Sequence, residues 1–319
     1  MWTDKKIVVV GVGGVGGYFG GLLAKKGLNV TFIARGESLD VMKRKGLRVE
    51  SVNGDFVINP VQVTDSYSDV GPASLVLVCV KTPQVDEVAR LIKPLVDEHT
   101  VILPLQNGVD APSQLIAIHG KKNVLGGSCK VLSFKVEPGH IRHSGVSIVD
   151  LGEMDGPVSS RVEEVRDLLA YAGIDAFAHD DFPTVLWTKM VFICATSGVS
   201  AVTRSTLGTI RSLPETREIL VQSMQETVQV ARGLGADLPD STVDTLMQWT
   251  DSVPEDTMTS MQRDIMEGKP SELHYQVGAV VRYGEEIGIE TPVNRFLYHS
   301  LLPMELRAAK KREKEKRML

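Results

Sequence analysis

The chain has 319 residues, of which 43% are hydrophobic and 24% charged, and its formal net charge is −5. Those proportions describe a globular protein long enough for two domains of ordinary size, and they exclude a disordered chain. A mildly acidic balance has no general attraction for nucleic acid or an anionic membrane, which leaves a small molecule as the expected partner.

Residues Ile7-Val8-Val9-Val10 are β-branched in succession, as a strand buried on both faces of a parallel sheet requires. They lead into Gly11-Val12-Gly13-Gly14-Val15-Gly16, a G-x-G-x-x-G pattern, and then into a helical pattern carrying Tyr18, Leu22 and Leu23. Each glycine of the pattern has its own task. Gly11 allows the tight turn, Gly13 lets a pyrophosphate approach bare backbone, and Gly16 seats the helix close on the sheet. Backbone N–H groups at that helix start would hold the diphosphate. The strand–loop–helix context makes this a dinucleotide fingerprint rather than a glycine-rich turn without a ligand.

That helix runs to about Lys26 and stops at Gly27, and Asn29–Ala34 is the second strand. At its end, where a carboxylate would bond a ribose 2′-hydroxyl, stand Ala34-Arg35-Gly36. A guanidinium suits a 2′-phosphate, so NADP(H) is the expected cofactor. A helical stretch at Asp40–Lys45 precedes strands Leu47–Val52 and Asp55–Val63, divided by the hairpin signal Asn53-Gly54. Ser74–Val80 is another apolar strand. Lys81-Thr82-Pro83 stands at its carboxyl end, where open α/β sheets bind ligands.

Helix Gln84–Val96 and strand Val101–Leu105 follow, ending in Gln106-Asn107-Gly108. Lys81 and Asn107 thus leave neighbouring strand ends on the cofactor side. Helix Ala111–His119, strand Asn123–Leu132 and alternating residues around His140–Leu151 are expected to complete the sheet, with Pro138-Gly139 as a turn. A helix over Ser159–Ala172 stops at Gly173.

Beyond Asp180 the strand-like runs vanish. Segments at about Phe182–Val202, Pro214–Leu234, Pro239–Trp249, Thr257–Glu267, Glu272–Ile287 and Pro292–Lys310 show the helical period. The expected fold class is α/β: an N-terminal Rossmann-type dinucleotide-binding domain at 1–179, then a C-terminal all-helical substrate domain at 180–319.

Cys79, Cys129 and Cys194 lie in apolar surroundings without a C-x-x-C pattern and are expected to be reduced packing residues of a cytoplasmic protein. No apolar run is expected to reach the length that crosses a bilayer, and Met1–Lys6 leaves no room for a signal peptide. His140 and His143 are close, but no cysteine or acid cluster completes a metal site around them. The run Lys310–Arg317 reads as a solvated helix end.

A nicotinamide domain followed by a helical one implies a cleft where a substrate faces the cofactor. Ketone reduction needs a hydride on carbon, a proton on oxygen and a hold on the rest of the substrate, and the protein supplies the last two. Trp187-Thr188-Lys189-Met190-Val191 places one lysine inside an apolar helix. Such an ammonium suits a general acid and a partner for a forming alkoxide, or else a surface residue whose stem covers apolar neighbours. Ser260 and Asp264 are one helical turn apart. Glu272 opens the next helix, where a first-turn carboxylate is favoured by the helix dipole.

Gly11-x-Gly13-x-x-Gly16, Ala34-Arg35-Gly36, Val80-Lys81, Gln106-Asn107-Gly108, Trp187-Thr188-Lys189, Ser260-Met261-x-x-Asp264-Ile265, Ser271-Glu272-Leu273-x-Tyr275 and Gly288-Ile289-x-Thr291-Pro292-x-Asn294 together resemble the ketopantoate reductase (2-dehydropantoate 2-reductase) family. The resemblance implies NADPH-dependent reduction of 2-dehydropantoate to pantoate, on the route to pantothenate and coenzyme A, with Lys189 and Glu272 as catalytic residues. It implies cofactor contacts from Gly11, Val12, Gly13, Gly14, Val15, Gly16, Arg35, Lys81, Asn107 and Glu272. Substrate contacts would come from Asn107, Lys189, Ile193, Ser197 and Ser260.

Within that set Lys189 would be the general acid. Glu272 would bond the substrate hydroxyl or the region of the keto oxygen, and Ser260 the substrate carboxylate. Ile193 and Ser197 stand where the family has asparagines, and the asparagine expected shortly after Ser200-Ala201-Val202-Thr203 is absent. Two further functions therefore stay open, reduction of a more apolar 2-keto acid and non-catalytic sensing of NADPH. The expected partners are a small 2-keto acid and, as a candidate assembly, a second copy of the chain.

Overall fold

The computed structural model describes residues 4–318. The chain forms two compact units, Met1–Phe182 and Pro183–Leu319.

In the first unit the elements are, in order, β1 (Ile7–Val10), α1 (Gly14–Lys25), β2 (Val30–Ile33), α2 (Glu37–Lys45), β3 (Leu47–Ser51), β4 (Phe56–Ile58), β5 (Gln62–Thr64), β6 (Leu75–Val78), α3 (Val85–Leu91), β7 (Val101–Pro104), α4 (Ala111–His119), β8 (Gly126–Glu137), β9 (His140–Gly152), α5 (Ser160–Tyr171) and β10 (Asp175–His179). One sheet has the order β5-β2-β1-β6-β7, and all its pairings are parallel. Strand β1 lies at its centre and is no more than 1% exposed anywhere, which accounts for its unbroken β-branched sequence. From β1 the chain winds to β2 on one side and later returns to β6 on the other. The carboxyl ends of β1 and β6 therefore form the topological switch point.

The remaining strands depart from expectation. They do not complete that sheet but build a second one, ordered β10-β9-β3-β4 with β8 on β9. Val124 makes one isolated bridge to Ile102 of β7, after which Gly126-Gly127 carries the chain away to pair antiparallel with β9. An added Cβ on Gly127 would lie 2.2 Å from the Pro104 carbonyl oxygen, so β8 passes β7 too closely for a side chain. The stretch Asp55–Val63 also divides. Its first part pairs with β3 across the expected hairpin, and its second pairs with β2 in the other sheet. Pro60, between them, has no N–H to continue a ladder. Strand β10 had no signal of its own, being short and half exposed. The stretch Gln84–Val96 is helical only to Leu91, and Lys93-Pro94-Leu95 makes a separate 3₁₀ turn.

Helix α1 lies between the two sheets, and four glycines make that possible. An added Cβ on Gly20 would crowd Phe32 and Val9 of the first sheet. One on Gly17 would crowd Ile141 of the second, and one on Gly21 would meet Phe56 and Val49. Spacings of four place Gly16 and Gly20 on one helix face and Gly17 and Gly21 on the next. Tyr18 stacks on His143 of β9 with ring centroids 4.0 Å apart. Glycine lowers intrinsic helix stability by about 1 kcal/mol per residue relative to alanine, and close burial on two sides offsets it.

The second unit is helical: α6 (Phe182–Thr203), α7 (Leu207–Ser212), α8 (Pro214–Gly233), α9 (Thr242–Ser252), α10 (Ser260–Met266), α11 (Val277–Ile287) and α12 (Pro292–Met318). Helix α6 is its core. Phe192 packs on Trp249 of α9 at 4.2 Å and Trp187 meets Tyr283 of α11 edge-on at 5.9 Å. Gly198 lets Leu297 of α12 and Val277 approach. Contrary to expectation, α6 is long and apolar enough to span a bilayer by length and composition, with a mean hydropathy of 1.5. The protein itself buries 67% of that stretch, as a core helix requires. Its hydroxyls are absorbed locally, Thr188, Thr196 and Thr203 each donating to the carbonyl four residues back.

The closing signature Gly288–Asn294 has a structural reading. Gly288 ends α11 in the left-handed region at φ 73°, where glycine carries no steric cost, and Pro292 opens α12. Buried Glu226 of α8 accepts from the Val293 and Asn294 N–H groups at 2.8 and 2.9 Å and from Asn294 Nδ2 at 2.7 Å. Ser223 Oγ donates to Asn294 Oδ1 at 2.8 Å. A carboxylate at a helix start satisfies its orphan donors and favours its dipole.

Candidate active site

Strand β1 ends at Val10, and Gly11 turns the chain at φ 97°. There an added Cβ would lie 2.8 Å from Val80 Cγ1. Gly16 is held more tightly still: its Cβ would lie 2.1 Å from the Gly11 carbonyl oxygen and 2.8 Å from Cys79 Cβ. Gly13 differs from both. It precedes α1, and nothing lies within 4 Å of where its Cβ would be. No side chain caps α1, and its first turn carries no acid. The helix therefore presents bare N–H groups and the positive end of its dipole to an open space, which fits a diphosphate. Gly14 meets β8, with Ser133 Oγ donating to its carbonyl at 3.0 Å. Val12 is buried and Val15 half-buried beside the loop.

Arg35 leaves the end of β2 beside this loop. Its Nη1 lies 3.3 Å from a Glu87 carboxylate oxygen and its Nη2 3.5 Å from the Tyr67 hydroxyl. Across the switch point the extensions of β6 and β7 bring Lys81, exposed, and Asn107, half-buried, to adjoining positions. Thr82 Oγ1 donates to the Asn107 carbonyl at 2.8 Å. Gln106 Nε2 donates to the Val78 and Val80 carbonyls at 2.7 and 3.0 Å. An open depression of about 550 Å³, lined by Lys6, Asn29, Gln62 and Asp69 among others, belongs to the opposite end of β1 and β2, so it is not this site. Half-buried Cys79 and buried Cys129 and Cys194 are not in disulfides, and burial pushes the thiols of Cys79 and Cys194 well up, leaving them inert. Among the described residues no group of three or more His, Cys, Asp or Glu could hold a metal.

In the second unit Lys189 lies half-buried in the second turn of α6, next to buried Trp187, Met190 and Val191. One turn on is half-buried Ile193, and one further is buried Ser197. Ser260 is the exposed first residue of α10. Thr259 and Gln262 form a capping box there, and Thr259 Oγ1 lies 3.5 Å from Ser200 Oγ of α6. That contact links Ser260 to the carboxyl-terminal half of α6.

Glu272 does not open a helix as its neighbours suggested. It precedes a 3₁₀ turn, Leu273–Tyr275, and Gln276 breaks the backbone before α11 starts. The Glu272 side chain is buried and accepts from Gln276 Nε2 at 3.3 Å. Preceding Ser271 is pinned to Glu305 of α12 through both its N–H, at 3.1 Å, and its hydroxyl, at 2.5 Å. Thr82 and Gln106 lie in stretches the sequence marks, Lys81-Thr82-Pro83 and Gln106-Asn107-Gly108, but their bonding partners do not show there. Glu305 carries no sequence signal, and the spacing of Gln276 one turn beyond Glu272 is the only local sign of that contact.

A parallel sheet with an uncapped glycine-loop helix at its switch point, followed by an all-helical unit, defines a two-unit Rossmann-type α/β protein. The family model of ketopantoate reductase PanE/ApbA matches residues 7–156, and that of ketopantoate reductase PanE/ApbA C terminal matches residues 181–305. The chain belongs to the ketopantoate reductase family of oxidoreductases. The 2-dehydropantoate 2-reductase of Archaeoglobus fulgidus is 30% identical over 293 residues, 92% of this chain and 95% of that protein. The solved 2-dehydropantoate 2-reductase of Geobacter metallireducens is 32% identical, with a TM-score of 0.88 over 93% of this chain and 99% of that one. D-mandelate dehydrogenase, solved with NADH and anilino(oxo)acetate, shares the fold at 21% identity and a TM-score of 0.86, covering 94% of this chain and 98% of that one. The fold thus serves more than one named activity, and the substrate must be argued from the site.

Proposed function

We propose that this chain reduces a 2-keto acid with NADPH, and that the substrate is 2-dehydropantoate, giving pantoate for pantothenate and coenzyme A synthesis. The observation that carries the proposal is Lys189, a half-buried lysine in apolar α6, in a chain aligned along both units with 2-dehydropantoate 2-reductases. Gly11 to Gly16 and the start of α1 would hold the diphosphate, Arg35 the 2′-phosphate, and Lys81 and Asn107 the nicotinamide-ribose end. When bound, the cofactor supplies hydride to the keto carbon. Lys189 gives a proton to the keto oxygen and stabilises the charge that develops on it. Ser260 would bond the substrate carboxylate, Asn107 would also reach the substrate, and Glu272, steadied by Gln276, would accept from the substrate hydroxyl.

A second reading is favoured by Ile193. Its side chain, one turn beyond Lys189, cannot bond a hydroxyl, which suits a more apolar 2-keto acid. Oxidation of NADPH followed with 2-dehydropantoate and with the analogue lacking its hydroxyl decides between them. A higher kcat/KM for 2-dehydropantoate is expected, because a site built to pair a hydroxyl rejects the analogue without it. The reverse preference establishes the second reading. Tight NADPH binding without turnover on any 2-keto acid would remove both and leave a sensor.

The loop makes a separate prediction. Gly13→Ala is expected to leave Tm unchanged, because its Cβ meets nothing, while weakening NADPH binding, because that Cβ enters the space kept for the diphosphate. Gly16→Ala is expected to lower Tm by several degrees, since overpacking costs about 1–3 kcal/mol and each kcal/mol moves Tm by roughly 2–4 °C. Thermal melts and NADPH titrations of both variants check the pair.

A further inference from the structure

We propose that Thr82 and Gln106 form a two-point clamp that sets the spacing of Lys81 and Asn107, acting as positioning residues for the ligand those two bind. The inference rests on the assignment of Lys81 and Asn107 to the nicotinamide-ribose end of the cofactor. Regular pairing of β6 with β7 ends at Val78 and Pro104, with one further bond from the Leu105 N–H to the Val78 carbonyl. Beyond it the two extensions are joined by side chains. Thr82 reaches from the β6 side to the Asn107 carbonyl at 2.8 Å, and Gln106 from the β7 side to the Val78 and Val80 carbonyls at 2.7 and 3.0 Å.

Both residues are buried, Thr82 at 0% and Gln106 at 4% exposure. Each is the immediate neighbour of a residue assigned to the ligand, so a buried bond fixes the backbone next to each contact. The orientation of Gln106 follows from chemistry. Both groups that face its amide are carbonyls, so Nε2 must point at them. Its Oε1 is then left buried and, among the described residues, without a hydrogen-bond partner. An apolar side chain of similar volume would fill that space without stranding a buried acceptor. What the glutamine adds over such a residue is the hold on Val78 and Val80. Val80 in turn packs where a Cβ on Gly11 would be, so the clamp also seats the segment that abuts the glycine loop.

The test uses the full-length protein and its affinity for NADPH, with amide hydrogen exchange at residues 79–83 and 105–108. Thr82→Val keeps the shape and removes the donor. It is expected to raise the NADPH Kd roughly two- to tenfold, the factor one neutral hydrogen bond typically carries, and to speed exchange in both segments. Thr82→Ser keeps the hydroxyl and is expected to recover most of the affinity, which a purely structural role of the threonine methyl would not allow. Gln106→Met, which keeps a similar volume and removes the donor to both carbonyls, is expected to behave like Thr82→Val. Lys81→Ala and Asn107→Ala are measured alongside. If those two weaken NADPH while Thr82→Val and Gln106→Met do not, the clamp is wrong and the site assignment stands. If Lys81→Ala and Asn107→Ala leave NADPH affinity unchanged, the assignment falls and takes the clamp with it.

Discussion

Replacing Lys189 with alanine is expected to lower kcat by about 10²–10⁴-fold, the range that a positioned general acid contributes, with NADPH affinity nearly unchanged. The expectation follows from its surroundings. Trp187, Met190 and Val191 beside it are buried, and the hydroxyl of adjacent Thr188 is committed to the Thr184 carbonyl at 2.7 Å. Lys189 carries the one formal charge in the α6 sequence. Lys189→Arg separates its two roles. A guanidinium keeps the positive charge that stabilises an alkoxide but does not release its proton, so turnover should stay low if proton delivery is what matters. Steady-state kinetics with NADPH and 2-dehydropantoate check both variants. Full activity in the alanine variant would make Lys189 a surface residue whose stem merely covers its apolar neighbours.

Arg35→Asp is expected to weaken NADPH by roughly 10²-fold while changing NADH far less. The estimate combines the loss of charge-assisted bonds, each worth about 1.5–3 kcal/mol, with repulsion between a new carboxylate and the 2′-phosphate. Arg35 is suited to the task because its guanidinium is held near the end of β2 by Tyr67 and Glu87. Glu87 is the cost of that arrangement. A 2′-phosphate arriving at Arg35 must share it with a carboxylate, and Glu87→Gln should accordingly favour NADPH over NADH. Dissociation constants for the two cofactors provide the check, and equal losses in Arg35→Asp would contradict a contact to the 2′-phosphate.

Much of the first sheet was legible in the chain because its signals are local. A β-branched run from Ile7 to Val10 has no other comfortable setting than a buried strand, and the loop glycines follow it without a gap. The hairpin at Asn53-Gly54 was legible for the same reason, with Gly54 at φ 103°. The second sheet was not. Alternating residues from Gly126 to Gly152 specify strands with one covered face, and they are silent on which sheet those strands join. The choice was made by distant contacts, such as Gly127 against Pro104 and Ile141 against Gly17.

The site divides in the same way. Gly11, Gly13, Gly16, Arg35 and Lys189 could be nominated from single positions, because a bare backbone, a guanidinium or an ammonium in an apolar helix stands out from its neighbours in the chain. How Asn107 and Glu272 are held could not be read off, because Thr82 is 25 residues from Asn107 and Glu305 is 34 from Ser271. Composition and local period determined that strands and helices form and which residue types they expose. Only tertiary packing decided which sheet each strand entered, that α1 would lie between two sheets, and that Glu272 would precede a 3₁₀ turn instead of opening a helix. The physical reason is range: propensity and turn chemistry act over a few residues, whereas steric fit and buried hydrogen bonds act between segments that meet only once the chain has folded.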